Sequence, residues 1–228
     1  MDFESELERL RVTEKPTLVL IHEPPKPPAS VALLSGSFDP MTVAHGALAE
    51  AASRLVDLVL LVYSARTLPK DGAAPPALLP EVDRLRALGR FCETHPGTAA
   101  GFCSHGLLAD QVLAARERFP TQDLFMTMGS DKVLQLLHPS WYEDRDRTLE
   151  GLFREAAVLY ADRAGEEGAV EAVLKRAENA RWADRFTRLD VPARVAAVSS
   201  SRIRELIEAG TDPSGLVVEE SRPYLPQP

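Results

Sequence analysis

Ten residues, GSFDPMTVAH at positions 36–45, constrain this chain more than any other stretch. They follow an apolar run, Val31-Ala32-Leu33-Leu34-Ser35, and open a helical pattern, Gly46-Ala47-Leu48-Ala49-Glu50-Ala51-Ala52. A strand, a glycine-turned loop and a helix start make a natural anion site. Free backbone N–H groups point outward there, and the helix dipole favours negative charge. His45, in the first turn, adds a donor to the same anion. The segment reads as a phosphate or nucleotide site, or else as an ordinary βα turn with a chance histidine. A second hydroxyl-rich helix start, VSSSRIRELIEAG, lies at 198–210. Ser199, Ser200 and Ser201 can cap that helix, and Glu205 can reach back to its first turn. Ile203, Leu206 and Ile207 form its buried stripe. Arg202 and Arg204 stand where cations oppose the helix dipole. A bound anion would outweigh that penalty; without one, this is a plain capped surface helix.

From residue 30 onward strands and helices alternate. Strands are expected at 31–35, 58–63, 98–104, 124–128, 156–161 and 194–198, with helices at 43–55, 80–93, 107–119, just after Ser130, 147–154 and 169–180. This order predicts an α/β fold with a Rossmann-like, doubly wound parallel sheet and helices on both faces. Ligands in such sheets bind outside the carboxyl ends of the strands. The GSFDP, GSD (129–131), DRAG (162–165) and SSSR (199–202) segments are each expected after a strand end, so they should converge on one crevice. Residues 1–29 read as a short N-terminal appendage. It holds a polar helix at 4–11, a strand at 17–21 that could extend the sheet edge, and a stiff PPKPP linker at 24–28. That linker is also a segment a partner could bind. Residues 30–228 form the main domain.

A chain of 228 residues, 45% of them apolar, suits one domain with a real core. A net charge of −8 argues against broad nucleic-acid or membrane binding. No apolar stretch reaches the length of a membrane span, and the acidic start Met1-Asp2-Phe3-Glu4 is no signal peptide. Cys92 and Cys103 read as free thiols in a reducing cytosol, which predicts a cytoplasmic protein. His22, His95, His105 and His138 show no ligand spacing, and no metal cluster is expected.

Together, GSFDPMTVAH and VSSSRIR resemble the nucleotidylyltransferase superfamily, with its (T/H)-x-x-H loop and ISSTxIR loop. Within it the chain is most similar to nicotinamide/nicotinate mononucleotide adenylyltransferases. MGSDKVLQLLHPSWY (128–142) is similar to the family's G-(A/S)-D segment followed by a tryptophan. AVLYADRAG (157–165) is similar to its strand ending in Arg and Gly, and GLVVEESRPYL (215–225) to its C-terminal V-P-x-x-V-x-x-Y-I pattern, with Glu219 in the usual proline position. The resemblance runs over residues 30–225 and implies the nucleotidylyltransferase fold. It also implies transfer of AMP from ATP to a pyridine mononucleotide with release of pyrophosphate. The substrate phosphate would attack the α-phosphorus directly, so catalysis is positioning and charge neutralisation rather than base chemistry. The same chemistry on another phosphate, such as phosphopantetheine or a cytidylyltransfer, is a second reading, and a non-catalytic nucleotide-binding regulator a third.

The resemblance also assigns roles. His45 would donate to the ATP phosphates, and Arg204 would grip the β- and γ-phosphates with its planar fork. Gly36, Ser37, Thr42, Ser200 and Ser201 would surround the nucleotide, or Thr42 would instead cap its helix. Ser37 and Phe38 would meet the mononucleotide, while Asp39-Pro40 fixes the turn. Lys70, in the loop after the second strand, falls where relatives contact the mononucleotide phosphate, or is a solvated loop lysine. Arg84 has a similar, weaker case, since helix arginines mostly face solvent. Gly129 and Asp131 would meet ribose hydroxyls. Trp141 would stack on the pyridine ring, or else belong to the core beside Tyr142. Arg163 would reach the adenosine or triphosphate side, or stand exposed at its strand end. Mg²⁺ is implied with ATP, carried mainly by phosphate oxygens. The implied partners are ATP and the mononucleotide, with no nucleic acid and no membrane; a homo-oligomer is left open.

Overall fold

In the computed structural model, which describes residues 1–66 and 76–226, seven strands form one sheet. They are β1 (Leu18–Leu20), β2 (Ser30–Ser35), β3 (Leu58–Ser64), β4 (Thr98–Cys103), β5 (Asp123–Gly129), β6 (Ala156–Ala161) and β7 (Phe186–Arg188), in the order β1-β4-β3-β2-β5-β6-β7. All pairs are parallel except β1 with β4. The order reverses between β2 and β5; β3 and β5 flank β2, with Val31 opposite Leu58 on one side and Leu124 on the other. That reversal is the switch point where open α/β sheets bind ligands.

The central strands are apolar on both faces because helices cover both faces. Leu58 to Tyr63 are buried throughout. Val31, Leu33, Leu60 and Val62 face one core, with α4 (Leu108–Arg118), α5 (Ser130–Leu137), α6 (Arg145–Glu155) and α7 (Ala169–Leu174). Ala32, Leu34, Val59 and Leu61 face the other, with α1 (Phe3–Arg11), α2 (Val43–Ser53) and α3 (Glu81–Thr94). The N-terminal segment is part of this second layer. Leu7 and Leu10 of α1 are buried in it, and β1 supplies the edge strand that residues 17–21 were expected to form. Gly101 makes that edge feasible: a Cβ there would sit 2.6 Å from the carbonyl oxygen of Val19.

Three sequence expectations need correction. The strand expected at 194–198 is instead a short helix, α8 (Ala193–Ala196). Pro192 supplies the fixed φ of a helix start, and its carbonyl accepts from the N–H groups of Val195 (2.8 Å) and Ala196 (3.0 Å). The last strand is β7, three residues long, whose pairing with Val158–Tyr160 decides its conformation. SSSR therefore follows a helix and not a strand end. The helix expected at 169–180 stops at Leu174, and a 3₁₀ segment follows at Ala180–Arg185. Buried Asn179 ends it: its Nδ2 donates to the Val173 carbonyl (2.9 Å), an alternative to continuing the helix.

Candidate active site

The GSFDP turn leaves β2 at the switch point. The Gly36 N–H still donates to Val62 O of β3 (3.1 Å), and a Cβ at Gly36 would meet the Phe38 ring at 3.1 Å. Phe38 takes φ +46°, the left-handed region, and is buried. Such a conformation costs free energy and persists only where surrounding packing imposes it. The next residue, Asp39, is 2% exposed and anchors the turn. Its Oδ1 accepts from Leu79 N–H (2.8 Å), and its Oδ2 from Leu78 N–H (3.0 Å) and Arg204 Nη2 (3.1 Å). Arg84 Nε lies 3.4 Å from Oδ1.

Arg84 itself is buried beneath the loop. Its Nε and Nη2 donate to Leu79 O (2.9 and 2.7 Å) and its Nη1 to Ser37 O (3.4 Å). Far from the solvent-facing position usual for a helix arginine, it braces the main chain that carries Ser37.

Thr42 and His45 form a reciprocal cap on α2. The Thr42 hydroxyl accepts from His45 N–H (3.4 Å), while His45 Nδ1 accepts from Thr42 N–H (3.0 Å) and lies 2.9 Å from the hydroxyl. Histidine here fills the position that Glu or Gln takes in the usual capping box. Of the two readings for Thr42, capping is the one its hydroxyl makes. Desolvation, and next the positive charge of Arg163, push the His45 imidazole down to about 4. The ring is therefore neutral near pH 7. With Nδ1 accepting from a backbone N–H, the proton is assigned to Nε2, which is left as a donor.

The second motif docks on the first across 160 residues of sequence. Helix α9 (Ser200–Glu208) is capped by Ser199, whose hydroxyl accepts from Arg202 N–H (3.2 Å). Ser200 Oγ donates to Pro40 O (3.1 Å), and Arg204 reaches Asp39. Ser201 and Arg202 are exposed, and Arg202 pairs with Glu205 (2.9 Å) rather than with the crevice motifs. Ile203 is buried. The C-terminal segment straps the same loop. Val217 bridges Thr42, Val218 N–H donates to Met41 O (3.2 Å), and the Val218 side chain lies over Gly46.

A third group comes from β5 and β6. Arg163 Nε donates to Asp131 Oδ1 (2.8 Å), and Arg163 N–H to Ser130 Oγ (2.9 Å). A Cβ on Gly129 would fall 2.6 Å from that Asp131 oxygen and 3.2 Å from Arg163 Nε, so the bare glycine makes room for the ion pair. Arg163, expected either at the nucleotide or loose at its strand end, is thus paired, and its charge is felt by His45. Trp141 is 54% exposed on the 3₁₀ turn Pro139–Trp141, which removes the core reading; the buried tryptophan is Trp182, 5% exposed. Lys70 lies outside the described residues. The sequence did not disclose Asp39 as the common anchor or Arg84 as a buried brace. The one signal was an acidic residue inside an anion-binding turn, which calls for cations nearby.

The comparisons with known proteins agree with this architecture. The family model described as cytidylyltransferase-like matches residues 33–206. No curated protein matches the sequence. Among solved structures, a Vibrio parahaemolyticus protein described as a nicotinate-nucleotide adenylyltransferase is similar at TM-score 0.52 and 16% identity, over 86% of this chain and 97% of that one. The Plasmodium falciparum nicotinic acid mononucleotide adenylyltransferase is similar at TM-score 0.61 and 15% identity in its complexes with APC and with NaAD. Those alignments cover 86% of this chain and 94% and 93% of theirs.

Proposed function

Because the chain belongs to the cytidylyltransferase-like family, we propose that it transfers AMP from ATP to nicotinate or nicotinamide mononucleotide, giving deamido-NAD or NAD and pyrophosphate. The observation that supports this reading most is the meeting of two remote motifs at the switch point, with Arg204 and Ser200 docked on the turn that leads into His45. In this reaction an oxygen of the mononucleotide phosphate bonds to the α-phosphorus, and the bond to the α–β bridging oxygen breaks. The electron pair leaves with pyrophosphate. The attacking oxygen is already anionic, so no side chain needs to remove a proton. The neutral His45 ring holds a proton at Nε2 and can donate it as a hydrogen bond to phosphate oxygens as charge moves onto the leaving group. Arg204 would neutralise the same charge, and Asp131 would accept from ribose hydroxyls.

Magnesium is proposed to enter with ATP, on its phosphate oxygens. Among the described residues no group of three or more His, Cys, Asp or Glu is placed to hold a metal ion by itself. Exposed Trp141 is the candidate to stack on the pyridine ring. Among the described residues no helix is long and apolar enough to cross a membrane, and both cysteines are free thiols; these support a cytoplasmic enzyme. Purified protein with ATP, Mg²⁺ and each mononucleotide should release pyrophosphate and yield the dinucleotide. Product with neither pyridine nucleotide, but with phosphopantetheine, would move the assignment to that substrate.

A further inference from the structure

One carboxylate collects more of the site than turn geometry requires. Oδ1 of Asp39 accepts from Leu79 N–H at 2.8 Å, and Oδ2 from Leu78 N–H at 3.0 Å and Arg204 Nη2 at 3.1 Å. Arg84 Nε, whose proton goes to Leu79 O, adds its charge 3.4 Å from Oδ1. Two of the three donors belong to the chain that enters α3 and one to α9. Arg204 is held by a single nitrogen. Its Nε is buried and has no hydrogen-bond partner among the described residues, and its Nη1 has none there either. A buried N–H without an acceptor is destabilising and rarely retained without a reason.

We propose that Asp39 is a positioning residue for nucleotide binding. It holds the Arg204 guanidinium by one N–H of Nη2 so that Nη1 and the second N–H of Nη2 stay presented to the triphosphate. This rests on the adenylyl-transfer reading above, and it adds a residue that acts through Arg204 without touching ATP. An arginine tethered this way keeps its fork oriented before the ligand arrives, so less side-chain freedom is lost on binding.

The test is a double-mutant cycle on MgATP affinity, measured by calorimetry without the mononucleotide so that no turnover occurs. Asp39→Asn should weaken ATP binding about tenfold in the wild-type background and leave it unchanged in the Arg204→Ala background. An equal loss in both backgrounds overturns the proposal while the functional reading stands. Unchanged ATP affinity in Arg204→Ala overturns both. Should Asp39→Asn fail to fold, the wild-type chain carrying ¹⁵N-arginine gives the answer. The Arg204 Nε signal, identified by its loss in Arg204→Lys, should be protected from exchange in the free protein and should shift at saturating ATP. A signal that ATP does not move overturns the proposal.

Discussion

His45 makes a prediction that reaches from local capping to global stability. Burial and Arg163 lower its folded-state value from 6.5 to about 4. Between these two values the unfolded chain binds a proton that the folded chain refuses. The direction follows from linkage: stability is full above pH 6.5, falls as the pH drops and levels off below about 4. At pH 5 the loss from this one residue is about 2 kcal/mol, as an upper figure because the side chain keeps some exposed surface. His45→Gln isolates the effect. Glutamine is the ordinary third residue of a capping box, so its Oε1 can take over the Thr42 N–H bond now made by Nδ1, and it does not titrate. Urea unfolding of both proteins at pH 7, 6, 5 and 4.5, followed by the fluorescence of buried Trp182, gives the comparison. The gap between the two should shift by about 2 kcal/mol in favour of His45→Gln between pH 7 and 5. Parallel stability curves would refute the reasoning, since they would mean that His45 titrates alike in both states.

Two further outcomes are expected. Gly101→Ala should displace β1 and cost about 1–3 kcal/mol, because its new methyl meets backbone and not a movable side chain; a thermal midpoint equal to wild type would show that the edge strand yields without cost. Trp141→Ala should leave stability within about 0.5 kcal/mol, as expected for an exposed residue, while raising KM for the mononucleotide about fivefold through lost stacking. An unchanged KM would remove the ring from the substrate site.

What could be read in the sequence follows from how local its causes are. Strands β2, β3 and β6 are unbroken apolar runs, and burial on both faces leaves such runs few alternatives. Strand β7 has no such signature: Phe186-Thr187-Arg188 is extended because β6 offers a free edge, a fact that lies in the tertiary structure. The misread 194–198 stretch is apolar enough for a strand, yet Pro192 sets a helix start in front of it. In the site, motif residues were legible because anion binding needs hydroxyls, N–H groups and cations next to helix starts. The bracing was not, since Asp39 meets Arg204 across 165 residues and no spacing rule connects them. Thr42 was open between two roles, accepting a backbone N–H as a cap or donating to phosphate, and it is the position of His45 N–H that shows the first.

The two arginines that the resemblance assigns to ATP both sit on carboxylates in the free protein, but at different depths. Asp39 is 3% exposed at its side chain and Arg204 21%, whereas Arg163 and Asp131 are 37% and 38% exposed. A pair as open as Arg163–Asp131 contributes less than about 1 kcal/mol, so ATP can draw Arg163 away at small cost. Asp131→Asn therefore tests two opposed effects. Freeing Arg163 should strengthen ATP binding by under about 1 kcal/mol, while losing a charged acceptor for ribose hydroxyls should weaken it by about 1.5–3 kcal/mol. The second effect is larger, and the variant is expected to bind MgATP several-fold more weakly by calorimetry, with its thermal midpoint nearly unchanged. Tighter binding would show that Asp131 serves to park Arg163 and makes no contact with ribose.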